Sequence, residues 1–186
     1  MVRDIGTITM VQCVDMDIAG IIFDARRNMY RIAENTNVGC IGTFLATCFE
    51  FADSFSLTEG YRETDESKEM LKSLKPYLIK TLETEHWFSY YVTPLNKKRV
   101  HIFKACPESR EILMRLYTGL FLDGVEEWVI PEDLCFFINK KMFLGTVSHE
   151  IICFLYPVDD EMALAFKGIC DWEEVDDISA EQIVYD

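Results

Sequence analysis

Residues 135–156 read CFFINKKMFLGTVSHEIICFLY, and how this stretch divides decides the fold. Cys135 to Ile138 and Met142 to Val147 are apolar, aromatic and β-branched runs of strand length. Between them, Asn139-Lys140 reads as a turn. Ile151 to Tyr156 forms a third run, closed by the turn Pro157-Val158-Asp159-Asp160, and Met162 to Phe166 returns as a strand or short helix. The C-terminal half is therefore built mainly from antiparallel strands.

Upstream the periodicity changes. Pro107 opens a helix with Glu108 and Glu111 near its N-terminus, and Ile112, Leu113, Leu116, Tyr117, Leu120 and Phe121 form one face, stopped by Asp123-Gly124. A second helix is expected from Asp65, with Met70, Leu71, Leu74, Tyr77, Leu78 and Leu82 on its apolar side; Pro76 should kink it or split it at Lys75. Phe44, Leu45, Cys48, Phe49 and Ala52 mark a third, buried helix. His86 to Val92 and Arg99 to Phe103, flanking Thr93-Pro94-Leu95-Asn96, suggest a hairpin. Near the N-terminus, Thr7 to Val14 reads as a strand, and Ile18 to Phe23 with Met29 to Ile32 as a hairpin around Asp24 to Asn28. Ser179 and Gln182 make a capping box for a short terminal helix. The sum is an α+β fold: a mostly antiparallel sheet with about three main helices packed on it, and residues 1–186 as one domain.

Composition narrows the partners. Of 186 residues, 49% are apolar and 13% aromatic, enough for a substantial core, and the net charge is −14. That sign opposes direct binding of nucleic acid, which needs phosphates neutralised, and docking on an anionic membrane. Seven cysteines, at 13, 40, 48, 106, 135, 153 and 170, form no C-x-x-C pair, and most lie in apolar runs. They are expected as free buried thiols in a reducing cytoplasm. The start, Met1-Val2-Arg3-Asp4, has no signal-peptide pattern, and the apolar stretch from Val38 to Phe51 is too short and polar to span a bilayer.

The charge is unevenly placed. Residues 1–122 carry 16 acids and 15 bases, whereas residues 123–186 carry 16 acids and 3 bases. Concentrating like charge costs self-repulsion, and solubility alone would be served by spreading it. The acidic third thus reads as a surface for a basic protein. Asp159, Asp160, Glu161, Asp171, Glu173, Glu174, Asp176 and Asp177 would supply carboxylates, and Trp172 and Tyr185 aromatic anchors. A partner whose own ligand is nucleic acid, such as a nuclease-type toxin, fits that chemistry, so an immunity or inhibitor protein is the expected class.

The rival is an enzyme. Cys106 precedes Pro107 at a helix N-cap, where the dipole favours a thiolate, and a hairpin centred on Leu95-Asn96 would bring His86 beside it as a base for a hydrolase or transferase. Metal signals are weaker, and no metal site or cofactor is predicted. His149-Glu150 begins like H-E-x-x-H, but Cys153 takes the second histidine's place; on a strand, His149 and Cys153 would share a face with room for one distant ligand. Asp171 to Asp177 lacks the glycine and terminal glutamate of an EF-hand, and Asp15, Asp17 and Asp24 suit turns. Lys97-Lys98-Arg99 beside Trp87, Phe88, Tyr90 and Tyr91 fits charged turn residues on an aromatic core better than a base-stacking platform.

Overall fold

The three runs of residues 135–156 are the middle of a sheet. In the computed structural model, which describes residues 29–32, 41–60, 64–88, 90–91, 97–117, 119–121, 131–175 and 182–186, strand β7 spans Glu132–Ile138, β8 Lys141–Val147 and β9 Ile152–Leu155. Asn139 (φ 50°) and Lys140 (φ 67°) form the two-residue turn joining β7 to β8, both in the left-handed region that matches strand twist in tight hairpins. Around these strands lie β1 (Tyr30–Ile32), β2 (Ser54–Thr58), β3 (Leu78–Thr84), β6 (Lys98–Lys104) and β10 (Trp172–Glu174). The eight run antiparallel in the order β10-β1-β9-β8-β7-β2-β6-β3, with a separate pair, β4 (His86–Trp87) and β5 (Tyr90–Tyr91).

Among the described residues there are four helices where about three main ones were expected: α1 (Ile41–Phe51), α2 (Asp65–Leu74), α3 (Pro107–Leu116) and α4 (Asp160–Lys167). Three of them start where local chemistry supplies a cap. Thr64 Oγ1 accepts from Ser67 N at 3.1 Å, and Asp159 Oδ1 accepts from Met162 N at 2.9 Å. Cys106 caps α3, with Ser109 Oγ accepting from the Cys106 N–H at 3.0 Å and Pro107 in the first helical position. That helix ends at Leu116, before the expected stop at Asp123-Gly124, which lies outside the described residues; Tyr117 leaves it with ψ 101° and its ring buried.

Both faces of the sheet are covered, which explains why the central strands read as nearly unbroken apolar runs. Phe44, Leu45 and Cys48 of α1, Met70 and Leu74 of α2, Leu113 of α3, and Met162 and Phe166 of α4 pack on one face against Phe55, Leu134 and Phe136. On the other, Trp87, Phe88 and Tyr185 cover Val100, Ile102, Cys135 and Phe137. Gly145 allows that second layer to close: a Cβ there would stand 2.8 Å from the Phe88 ring and 2.7 Å from Met142 Sδ. None of the described helices is long and apolar enough to cross a membrane.

Three expectations are corrected. Pro76 does split the second helix, through a 3-10 turn at Lys75–Tyr77, but Leu78 to Thr84 beyond it is strand β3. Leu78 and Leu82 stand four apart, a spacing that satisfies a helix face and a strand face alike. Arg99 to Phe103 accordingly pairs with β3 and β2 instead of with His86 to Val92, whose own partners are internal: His86 opposite Tyr91 and Trp87 opposite Tyr90. At the C-terminus, the residues after Ser179-Gln182 are extended, with Val184 bridged to Lys141 and the Gln182 amide donating to the Met142 carbonyl. The strand at Thr7 to Val14 and the arm at Ile18 to Phe23 lie outside the described residues; both edges of Tyr30–Ile32 are taken by β9 and β10.

Candidate functional site

The sheet carries its most unusual chemistry at the start of β7. Glu132 and Asp133 are both 0% exposed, a placement carboxylates take only where ions or hydrogen bonds compensate the lost water. Consecutive strand residues point to opposite faces, so a regular β7 would separate the two. It is not regular: Ser56 faces Cys135 but Thr58 faces Glu132, so two residues of β7 oppose Leu57 alone. Asp133 takes φ 52° in this bulge, a left-handed conformation that aspartate tolerates better than most residues. One carboxylate oxygen of Glu132, one of Asp133 and a ring nitrogen of His149 thereby lie within 4.8 Å of one another.

The 3-10 turn Ser148–Glu150 holds the third corner. Asp133 and Ser148 clasp each other twice: Asp133 N donates to Ser148 Oγ, and Ser148 N donates to Asp133 Oδ1, both at 3.0 Å. This fixes one oxygen of Asp133, while its Oδ2 is buried with no hydrogen-bond partner among the described residues. Lys98, itself buried, brings Nζ to 4.0 Å from Glu132 Oε2, and His149 Nδ1 lies 3.9 Å from the same oxygen. Gly60 closes over the glutamate, since a Cβ there would stand 2.6 Å from Oε1. Burial pushes the Asp133 carboxyl above the ordinary range; the Ser148 N–H, Lys98 and His149 act in the opposite direction, and Glu150 adds to the rise.

The acids singled out in the sequence occupy a different part of the molecule. Asp159, Asp160 and Glu161 stand exposed at the N-terminus of α4, the first as its cap and the others beside its positive dipole end. Asp171 is exposed, and Glu173 and Glu174 are half-buried on β10, where Glu173 pairs with Arg31 at 2.8 Å. Helix α4 and β10 touch through Trp172 and Phe166, the latter near the C-terminal end of the helix, away from its three N-terminal acids. Asp176 and Asp177 lie outside the described residues. The two aromatic anchors are a correction. Trp172 is 4% exposed and its indole N–H donates to the Phe166 carbonyl at 3.0 Å; Tyr185 is 7% exposed, with its hydroxyl 2.8 Å from Ser54 Oγ. Both rings belong to the core and are not available to a partner.

Cys106 and His86 are not brought together. His86 follows Thr84, which faces Lys98 at one end of β6, while Cys106 follows Lys104 at the other. Six strand steps of about 3.3 Å place roughly 20 Å between them. His149 and Cys153 do not share a strand either: His149 sits in the 3-10 turn and Cys153 is in β9, fully buried with its thiol pushed well up by burial. Of the basic run, Lys97 pairs with Glu85, Lys98 turns inward, and Arg99 reaches Glu59 and Glu83. A polar chain that sequence reading missed runs along this edge: His101 Nε2 lies 2.7 Å from Glu59 Oε1, and its Nδ1 lies 2.9 Å from Thr81 Oγ1. Thr81 and His101 are direct register partners, so a cross-strand pair accounts for the contact.

The Glu132–Asp133 pair left only a faint trace in the sequence, two adjacent acids after Pro131 and before a strongly apolar run. Comparison with known protein families, with curated proteins and with solved structures found no match.

Proposed function

We propose that the protein is an acidic binding protein that captures a basic protein partner through the acids of its C-terminal third. The observation that carries this reading is the charge distribution: 16 acids against 3 bases after residue 122, with Asp159, Asp160, Glu161 and Asp171 exposed there. With Trp172 and Tyr185 in the core, these acids work by electrostatic steering: carboxylates raise the encounter rate with a cationic surface, and salt weakens it. A nuclease-type toxin, whose own site is built to hold phosphates, is the partner class best matched to such a surface, which makes an inhibitor or immunity role the finer form of the proposal. The described cysteines, Cys48, Cys106, Cys135, Cys153 and Cys170, are free thiols, which fits a reducing compartment such as the cytoplasm.

The test is affinity capture from lysate of the source organism, with the wild-type chain compared against one carrying Asp160→Asn, Glu161→Gln, Asp171→Asn and Glu174→Gln. A basic protein recovered in near-equal amounts by the wild type, released by moderate salt and lost in the neutralised chain, is the expected result. Recovery of the same proteins by both chains, or of none, would overturn the reading.

A further inference from the structure

We propose that Glu132, Asp133 and His149 form a binding site for one divalent first-row transition ion of the Zn2+ type, independent of the acids proposed to capture a partner. The donor set is two carboxylates and an imidazole, whose ligand atoms lie within 4.8 Å of one another. Around a bound ion at 2.0–2.2 Å such atoms stand about 3–3.6 Å apart, so small side-chain rotations close the site. His149 Nδ1 and Glu132 Oε2, at 3.9 Å, are already near that spacing.

A cluster of acids alone would not carry this. The second observation is Asp133 Oδ2, an oxygen of a fully buried side chain with no hydrogen-bond partner among the described residues. An ionised oxygen so placed is costly unless something positive meets it. The Asp133 carboxylate is also held as an orienting shell holds a ligand: the Ser148 N–H grips Oδ1, and the same serine begins the turn that carries His149. Among the described residues, the buried Lys98 brings Nζ to 4.0 Å from Glu132 Oε2, beyond direct hydrogen-bond reach.

The chemistry of the donors selects the ion. Ca2+ takes six to eight oxygens and Mg2+ prefers oxygen with several waters, whereas an imidazole beside two carboxylates suits Zn2+, Co2+ or Mn2+. The His149 side chain is 32% exposed, which gives the ion a route in and leaves an outward position for water.

The experiment uses the full chain stripped with chelator. Equilibrium dialysis against Zn2+ should find one ion per chain, and Co2+ should give visible absorption bands of mixed nitrogen and oxygen coordination that saturate at one equivalent. His149→Ala and Asp133→Asn should each weaken binding at least about tenfold, while Glu150→Gln should change it by less than about threefold. Zn2+ should raise the thermal midpoint of the wild type and not that of His149→Ala, a change in a half-exposed ring that keeps the fold; this carries the test even where Asp133→Asn does not fold. Absence of saturable binding below millimolar Zn2+, or binding that survives both substitutions unchanged, would overturn the proposal. Either outcome leaves capture of a basic protein by Asp160, Glu161 and Asp171 to be judged separately.

Discussion

Replacing Trp172 by alanine separates a core role from an anchoring role for this residue. Trp172 is 4% exposed, faces Ile32 across the β10–β1 pair, meets the Phe166 ring edge-on at 6.2 Å and donates its indole N–H to the Phe166 carbonyl at 3.0 Å. Truncating a buried tryptophan costs about 3–5 kcal/mol in lost transfer energy and cavity. Loss of the indole donor adds little, because the Phe166 carbonyl also accepts from Ile169 N at 3.2 Å, and partial collapse of an outer strand offsets some of the total. We expect a loss of about 3–4 kcal/mol in urea unfolding followed by circular dichroism. At about 2–4 °C per kcal/mol for a chain of this size, the thermal midpoint should fall by roughly 6–16 °C. Trp172→Phe keeps an aromatic ring beside Phe166 but loses the indole donor and part of the ring volume, so about 1–2 kcal/mol should go. An exposed anchor would behave differently, leaving stability within about 0.5 kcal/mol of wild type. A Trp172→Ala loss below about 1 kcal/mol would refute the placement of this ring in the core.

Gly145→Ala should destabilise by about 1–3 kcal/mol in the same urea assay, because the new Cβ meets the Phe88 ring at 2.8 Å within a layer that has no slack; an unchanged midpoint would show that the Trp87–Phe88 segment does not lie on the sheet there. Alkaline pH should weaken the fold in a defined window. Burial pushes the thiols of Cys48 and Cys153 well above their ordinary 9.0 and that of Cys170 up to about 12. The unfolded chain therefore releases these protons near pH 9 while the native chain holds them, so stability is full below pH 9 and falls as pH rises through the window up to about 12. Cys48→Ala should make the decline shallower by up to about 1.4 kcal/mol per pH unit in urea unfolding at pH 9.5 and 10.5, and an identical slope in both chains would contradict it.

Much of the fold is legible in the sequence because much of it is locally encoded. The hairpin of β7 and β8 follows from two apolar runs and a turn pair able to adopt positive φ, and α3 follows from Pro107, the cap before it and one apolar face. The errors fall where local signals are degenerate. Leu78 and Leu82 satisfy helix and strand spacing equally, and what settles them is β6, twenty residues on, whose edge they complete. Misplacing β3 then misplaced the partner of His86, and with it the Cys106–His86 pair.

The candidate sites divide along the same line. The count of acids after residue 122 is a property of the chain itself, as are the α+β class and the caps of its helices. Whether an aromatic within that acidic third faces solvent is not, and only the packed sheet turns Trp172 onto Phe166 and Tyr185 onto Phe137. The same holds for the carboxylate pair. Strand alternation would send Glu132 and Asp133 to opposite faces; the bulge opposite Leu57, the positive φ of Asp133 and the clasp from Ser148 fifteen residues away bring both to His149. Composition and short-range pattern set the elements and the charge, because their energies act within a turn or two of chain. Register, bulges and the inward or outward choice of each large side chain depend on contacts between distant segments, and those are decided only when the sheet closes.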